Sequence, residues 1–256
     1  MRNVVKVRIY PTTEQREALS QSFGCARWFW NNSLALNNET YKATGKGLSR
    51  QGYNDRLPAL KKEFPWLKDC YSQVLQSVSL NLSRAFINFF EGRAGYPSFK
   101  SKHGKQSIQY PQNVKLSHGQ IKLPKIGSIP AKIHRMFEGE LKTVTISMSR
   151  TEKYYAALLF DDGKPDLIPS AEGKAVGVDL GLTHFAITSD GSKFDNPRHL
   201  KKREKNLKRK QRQLSRKQKG SRRRKRARRI VARVLERIDN TGKDFQHKLS
   251  RKLVNE

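Results

Sequence analysis

Two patterns of hydrophobic spacing meet near Pro97 and limit what this chain can fold into. Between residues 12 and 95 the apolar residues recur every three or four positions, which is the period of an amphipathic helix. After Pro97 they alternate with polar residues, as at Val144, Ile146 and Met148, which is the period of a half-buried strand. The sequence therefore predicts an α+β protein in which a helical block precedes a β region.

The helical block contains two clear helices. Thr12 and Gln15 form a capping box that begins the first helix, and its apolar face continues to Leu34. The second helix covers about residues 72–90 and ends before a glycine-rich turn. Residues 3–10 also alternate, so we expect a strand that joins the β region. The helical block is then an insertion into a β-barrel-like domain.

A three-stranded meander is predicted beyond a linker at residues 165–172. Its strands cover residues 174–180, 185–188 and 193–194, with a turn before each new strand. Two strongly basic helices follow, and a break at Gly220 separates them. These two helices are expected to form an antiparallel hairpin, with a weak point in the second one at its only glycine.

The charge of the chain indicates a polyanionic partner. The formal net charge is +31 over 256 residues, and the segment from Arg198 to Arg229 holds 19 Lys and Arg against one acidic residue, Glu204. Such a segment repels itself until phosphates neutralise it, and binding then releases condensed counterions. A ribosomal-type scaffold and a merely basic surface are the alternatives. The predicted nucleic-acid-binding residues are Lys201, Lys202, Arg203, Lys205, Lys208, Arg209, Lys210, Arg212, Arg216, Lys217, Arg222, Arg223, Arg224, Lys225 and Arg226.

One carboxylate lies within the first strand of the predicted meander. Asp179 stands between Val178 and Leu180, and burying a carboxylate is costly unless it binds a metal or another partner. A single carboxylate can hold Mg²⁺ together with substrate phosphates. Two interpretations stay open: Asp179 is a catalytic metal ligand, or it caps the turn at Gly181.

The acidic residues after Asp179 do not supply the rest of a two-metal site. Such a site needs several carboxylates within a few Å of each other. Asp190 lies in a predicted turn, and Glu236 and Asp239 lie on a predicted helix. His184 follows Asp179 closely, but we expect it to have a structural role.

The aromatic cluster near residue 30 has two interpretations. Trp30 falls on the apolar face of its helix, so we expect it in the core. Trp28 and Phe29 point elsewhere, and either base stacking or packing remains open for them.

Cysteine usage and hydropathy bear on the compartment. Cys25 and Cys70 are the only cysteines and do not form a C-x-x-C pair, so no zinc ribbon is encoded. No stretch of 18 apolar residues occurs, so no contact with a membrane is expected. We expect a soluble, intracellular protein in a reduced cytosolic setting.

Several motifs, in order along the chain, resemble the TnpB (OrfB) family of transposon-encoded, RNA-guided DNA nucleases, which are related to the type V CRISPR nucleases. The resemblance covers essentially the whole chain, and its strongest motif is Gly177-Val-Asp-Leu-Gly181. The other similar segments are Lys6–Pro11, Phe23–Arg27, Tyr96–Lys102, Phe185–Gly191, Asn196–Arg198, Gln213–Arg216, Lys219–Ser221, Lys225–Arg228 and Asp244–Ser250.

The resemblance implies a multidomain arrangement. A wedge-type β-barrel is expected at residues 1–11 and 96–168, and a helical recognition domain at residues 12–95 is inserted into it. An incomplete RNase H-like (RuvC) domain that includes the hairpin of two basic helices is expected at residues 173–256. Guide RNA and target DNA are the implied partners, and a short flanking DNA motif would be read by the N-terminal part. The implied location is the cytoplasm of a prokaryote, in association with the nucleoid.

The same resemblance implies that Asp179 is the first acidic residue of a RuvC-like, Mg²⁺-dependent nuclease site. The second-site glutamate, the four-cysteine zinc ribbon and the third-site aspartate of the family have no counterpart in the sequence. We therefore interpret the chain as C-terminally truncated, or as one part of a split protein. Three functions follow: nucleic-acid binding without cleavage, a nuclease completed by a separate C-terminal peptide, and a non-catalytic DNA- or RNA-binding regulator.

Overall fold

A computed structural model describes residues 1–134, 138–165 and 175–255. The chain divides into two compact units, Met1–Asp166 and Leu167–Glu256, and each is described by itself. The predicted linker beyond Pro165 and the first residue of the predicted meander lie outside the described residues. None of the helices in the described ranges is long and apolar enough to cross a lipid bilayer.

Helices occupy the first part of the first unit. The elements in order are β1 (Arg2–Ile9), α1 (Thr13–Thr44), α2 (Arg50–Asp55), α3 (Leu57–Glu63), a 3₁₀ helix (Pro65–Asp69) and α4 (Ser72–Phe90). The predicted capping box of α1 is confirmed: the Gln15 N–H donates to Thr12 Oγ1 at 3.3 Å, and the Thr12 N–H donates to Gln15 Oε1 at 3.1 Å. The helix ends at Gly45, whose φ of 70° is the left-handed conformation that favours glycine.

Seven strands of the first unit form one antiparallel sheet. The strands after the helices are β2 (Gln106–Tyr110), β3 (Lys115–Ser117), β4 (Gln120–Leu123), β5 (Gly127–Lys132), β6 (Glu140–Met148) and β7 (Tyr154–Asp161). Their order is β2-β6-β7-β1-β5-β4-β3, and the sheet curls into a half-barrel. The predicted α+β class is confirmed. Because β1 lies between β7 and β5, the helices from α1 to α4 are an insertion between the first and second strands.

One hydrophobic core joins the helices to the sheet. Helices α1 and α4 contact each other, and both contact β2. Leu19 of α1 and Leu75 and Leu82 of α4 are fully buried, as are Ile146 of β6 and Leu158 of β7. Each such side chain contributes about 1.5–3 kcal/mol through burial, so the helical block is held on the sheet by the hydrophobic effect.

The second unit combines a small meander with two long helices. Its elements are β8 (Val178–Asp179), β9 (His184–Thr188), β10 (Lys193–Asp195), α5 (His199–Ser215) and α6 (Arg222–Asn255). The strands are antiparallel in the order β10-β9-β8, which confirms the predicted meander. Helix α6 continues through Gly242, where the sequence predicted a weak point. The Phe185 ring of β9 packs edge-on against Phe245 of α6, with centroids 5.1 Å apart, and so fixes the helix on the meander.

Candidate nucleic-acid interface

Asp179 lies at the end of β8, which is an edge strand of the meander. Val178 pairs with Thr188 of β9, and Asp179 pairs with Ile187. The predicted burial of this strand is wrong, because the side chain of Val178 is 47% exposed and that of Leu180 is 69% exposed. Among the described residues, β8 pairs with a strand on one side only, so no second neighbouring strand covers its apolar side chains.

The carboxylate of Asp179 is exposed and makes no hydrogen bond or ion pair with any other described residue. The N–H of Gly181 donates instead to the carbonyl oxygen of Phe185 at 3.4 Å. Asp179 therefore does not cap the turn at Gly181, and its oxygens remain available to a cation.

The other acidic and imidazole groups of the meander have structural partners. His184 Nδ1 lies 3.3 Å from Asp195 Oδ1. Asp190 accepts hydrogen bonds from Thr188 Oγ1 and then from the N–H of Ser192, and these bonds lower the pKa of Asp190 below its ordinary value. Within the described ranges, no three His, Cys, Asp or Glu residues lie close enough together to hold a metal ion.

The segment 198–229, here called the basic hairpin, comprises α5, the following turn and the start of α6. Of the fifteen predicted nucleic-acid-binding residues, twelve have exposed side chains. Arg203, Lys210 and Arg224 are half-buried. The structure thus exposes most of the cations that the sequence singled out.

The turn of the basic hairpin is held by an arginine. Arg224 Nη1 donates to the carbonyl oxygens of Leu214 at 3.2 Å and Lys217 at 2.8 Å. Ser221 Oγ accepts the N–H of Arg224 at 3.1 Å and caps the first turn of α6. Leu207 of α5 is buried. The guanidinium of Arg224 therefore has a structural role in addition to its charge.

Almost none of the positive charge of the basic hairpin is balanced by acidic residues of the same segment. Glu204 forms an ion pair with Lys208 at 2.7 Å, and this cation lowers the pKa of Glu204. No other acidic residue lies in the segment. Farther along α6, two lysines are each paired with an aspartate one turn away, Lys243 with Asp239 and Lys248 with Asp244.

The aromatic residues of α1 belong to the core. Phe29 is fully buried and Trp30 is 7% exposed, so base stacking by Phe29 is excluded. The Trp28 ring packs against Phe64 and Trp66, with centroids 4.7 and 5.2 Å apart. The packing interpretation is therefore the one that the structure favours for this cluster.

Sequence reasoning missed a cleft in the first unit. Its volume is about 540 Å³, and it lies between α1, α4, the segment that leads into β2, and β2 itself. The polar groups that line it include Arg27, Asn81, Lys100, Lys105 and Gln109. The available signal was the motif Tyr96–Lys102, because Phe99 within it also lines the cleft and is 60% exposed.

Two family models match the chain. One, described as "Probable transposase", matches residues 162–256, and the other, described as "Helix-turn-helix domain", matches residues 1–46. The structure places β1 and the single helix α1 in the second range. The first range, which is the longer of the two, contains Asp179 and the whole basic hairpin. The candidate interface therefore lies within the part of the chain that matches the transposase model.

Three curated proteins are similar to the chain. A "Putative RNA-guided DNA endonuclease" of Streptomyces pristinaespiralis is 37% identical over 100% of this chain and 65% of its own length. The "Putative RNA-guided DNA endonuclease InsQ" of Escherichia coli (strain K12) is 34% identical over 96% of this chain and 61% of its own length. "Virulence protein VsdF" of Salmonella dublin is 37% identical over 41% of this chain and 98% of its own length. The chain therefore spans less than two thirds of the first two relatives.

Proposed function

We propose a nucleic-acid-binding function for this chain, which belongs to the TnpB (OrfB) family of transposon-associated proteins. The observation that carries the proposal is the basic hairpin. It holds 19 Lys and Arg but a single carboxylate, that of Glu204, which is already paired with Lys208. Phosphates relieve the repulsion within such a surface and release their own counterions on binding.

The basic hairpin contacts the nucleic-acid backbone and does not read bases. Lysine and arginine contacts to phosphate fix position, while sequence is read by groups that reach base edges. Affinity for the hairpin should therefore depend on salt and hardly on sequence. This behaviour is what a protein requires when base pairing by a guide RNA selects the target.

The experiment compares two double variants that remove equal charge. The first, Arg209→Gln/Lys210→Gln, removes two cations of the basic hairpin that have no carboxylate partner among the described residues. The second, Lys243→Gln/Lys248→Gln, removes two lysines that are each paired with an aspartate. Affinity for duplex DNA and for single-stranded RNA is measured from low to high salt. The first variant should reduce the slope of log affinity against log salt by up to about 2, since each phosphate contact contributes about 0.9. Equal effects of the two variants would remove the basic hairpin from the proposal.

Guide RNA and target DNA are the proposed partners. The printed names of the two longer relatives, which describe RNA-guided DNA endonucleases, support this assignment. In this proposal the strands of residues 1–11 and 96–168 act as the wedge-like domain, and the helices of residues 12–95 act as the recognition domain. Residues 173–256 are the RuvC-like part, which the meander followed by helices supports.

A metal centre is only partly accounted for by the described residues. A two-metal site requires several carboxylates within a few Å, and Asp179 has no acidic neighbour in such a group. The described residues therefore do not fit a complete centre, and no hydrolysis step follows from them. Asp179 fits the role of one Mg²⁺ ligand, because it is exposed and unpartnered among the described residues. Cys25 and Cys70 are buried in the first unit and do not fit a zinc ribbon.

A nuclease completed by a separate polypeptide is the second candidate function, and the surface of β8 favours it. Such high exposure of apolar residues at alternate positions around an edge strand is unusual: Val176, Val178, Leu180 and Leu182 are 53%, 47%, 69% and 90% exposed. Mixing the chain with a polypeptide that carries further strands and carboxylates should then produce Mg²⁺-dependent cleavage. Cleavage must be lost in Asp179→Ala. Mixtures that remain inactive at all ratios would count against this candidate.

A further inference from the structure

The cleft of the first unit has an arrangement that the basic hairpin lacks. It combines cations, hydrogen-bonding amides and an exposed aromatic ring within one concave surface of about 540 Å³. The basic hairpin offers mainly cations. The cleft is therefore suited to a ligand that has a charged group, a polar edge and a flat apolar face.

Three cations line the cleft, and no Asp or Glu is among its described lining residues. Arg27 donates from Nη1 to Gln106 Oε1 at 3.3 Å, which holds the guanidinium at the wall. Gln106 is itself fixed, because its Nε2 donates to the carbonyl oxygens of Lys102 and Gly104. Burial, with a further contribution from Lys105, lowers the pKa of Lys100 to about 8. These cations are not neutralised within the cleft, so an anionic group would be stabilised there.

An amide pair joins two walls of the cleft. Asn81 Nδ2 of α4 donates to Gln109 Oε1 of β2 at 2.8 Å. The bond leaves Asn81 Oδ1 as an acceptor and Gln109 Nε2 as a donor, and no hydrogen bond within the described residues uses either atom. Thr145, which is paired with Gln109 across β2 and β6, adds a hydroxyl to the same lining. Adjacent donors and acceptors of this kind match the edge of a nucleobase.

Phe99 supplies the flat apolar surface. Its side chain is 60% exposed although it lies in the cleft lining, beside Lys100. An exposed aromatic ring next to cations is the combination on which single-stranded nucleic acids stack their bases. A ring that served only to pack would be expected among the buried aromatic residues, as Phe29 is.

We propose that this cleft binds one unpaired nucleotide of an RNA or DNA strand, with the base on Phe99 and at the Asn81–Gln109 pair and the phosphate near Arg27 and Lys105. The proposal deepens the nucleic-acid-binding function and rests on it. It adds a second, base-contacting site in the first unit, distinct from the backbone contacts of the basic hairpin. The volume of the cleft lies within the range of small-ligand sites and accommodates a single nucleotide.

The experiment uses a single strand of about ten nucleotides that carries one iodouracil, made once as RNA and once as DNA. Ultraviolet light couples iodouracil to a nearby aromatic ring, and mass spectrometry of the digested full chain locates the adduct. We expect an adduct at Phe99. Phe99→Leu should remove it and weaken binding about fivefold or more, the loss expected for one stacked base. Whichever of the two strands gives more adduct identifies the source of the nucleotide.

Phe90→Leu is the matched control, because Phe90 is a 76% exposed phenylalanine of α4 that does not line the cleft. It should leave the adduct and the affinity unchanged. Gln109→Glu, which adds a carboxylate to the cleft, should weaken binding and reduce the adduct. Normal binding with adducts confined to α5 and α6 would overturn this inference and leave the proposed function standing. A strand that does not bind at all would overturn both. Unchanged strand binding by Phe99→Leu together with altered self-association would assign the cleft to a protein partner instead.

Discussion

The ammonium group of Lys100 lies 3.6 Å from the centre of the Trp30 ring. The indole N–H of Trp30 donates to the carbonyl oxygen of Ser98 at 3.0 Å, so the ring is fixed against the segment that carries the lysine. Asn31 exchanges two hydrogen bonds with the backbone of Lys100, at 3.0 and 2.8 Å. A cation that titrates near pH 8 is therefore held in a defined position beside the cleft.

Binding of a short single strand should weaken as the pH rises through about 8. The pKa of Lys100 is lowered to about 8, so the ammonium is mostly charged at pH 7 and mostly neutral at pH 9. Lys100 lines the cleft in which Arg27 and Lys105 are proposed to hold the phosphate, so loss of its charge should weaken binding by ~0.5–1 kcal/mol, or two- to fivefold in affinity. Fluorescence anisotropy between pH 6.5 and 9 measures the effect. Lys100→Arg should remove the pH dependence, because a guanidinium stays charged in this range. If the affinity of that variant falls with pH in the same way, the pH dependence belongs to another group.

The capping box of α1 connects this helix to the sheet. Thr12 is the N-cap, and Gln15 Oε1 accepts the Thr12 N–H, while Gln15 Nε2 donates to the carbonyl oxygen of Ser128 in β5 at 2.9 Å. Thr12→Ala should lower the free energy of unfolding by about 1 kcal/mol, the usual cost of a lost N-cap. Gln15→Ala should cost more, about 1–2 kcal/mol, because it removes two bonds: the one that its Oε1 accepts from the Thr12 N–H and the one that its Nε2 donates to the sheet. Chemical denaturation of both variants tests this order, and a larger loss in Thr12→Ala would contradict it.

The elements that the sequence predicted correctly are those with a long, regular hydrophobic period. The apolar face of α1 and the alternation at Val144, Ile146 and Met148 each recur over enough residues to fix both the element and its buried side. Thr12 and Gln15 located the start of α1 because a capping box depends only on local residues. Signals of this kind can be recognised without knowing which residues distant in sequence pack against the element.

The environment of β8 and the cleft could not be predicted in the same way. The run around Asp179 is apolar, but burial depends on a neighbour that covers it, and exposure at Leu182 reaches 90%. The cleft joins residues that are far apart in sequence, such as Asn81 and Gln109. The sequence leaves Phe29 open because three consecutive aromatic residues cannot all lie on one helical face. Which of them are covered depends on residues distant in sequence, as with Phe64, which packs against Trp28.

The apolar residues around β8 should promote self-association of the isolated chain. Leu180 and Leu182 are 69% and 90% exposed beside a strand edge that is unpaired among the described residues. Leu180→Thr/Leu182→Lys should shift the sedimentation profile toward the monomer without lowering the thermal midpoint. Phe90→Lys, on the first unit, is the control for a general effect of removing an exposed apolar residue. Equal shifts in both variants would show that β8 is not the contact surface.

Asp179→Asn should abolish binding of a divalent cation at β8 and leave nucleic-acid affinity unchanged. The substitution keeps the size of the side chain and removes the charge that a hard cation requires. Mn²⁺, used in place of Mg²⁺, should broaden the amide signals of Val178 to Leu180 in NMR spectra of the natural chain and not in the variant. Asp195→Asn serves as the control, because that carboxylate is next to His184. Identical broadening in the natural chain and in Asp179→Asn would remove Asp179 from the metal site and favour the non-catalytic regulator.

Arg224 and Arg223 are neighbours in the basic hairpin, yet their substitution should have different effects. Arg224 donates to the carbonyl oxygens of Leu214 and Lys217, whereas Arg223 is exposed. Arg224→Gln should lower the free energy of unfolding of the second unit by about 1–2 kcal/mol, since the carbonyl groups of Leu214 in the last turn of α5 and of Lys217 just beyond it lose a donor. Arg223→Gln should change stability by less than about 0.5 kcal/mol and mainly reduce the salt dependence of nucleic-acid binding. Hydrogen exchange of the α5 and α6 amides, measured in the intact chain, separates the two outcomes. Equal protection in both variants would show that the guanidinium of Arg224 does not hold the turn.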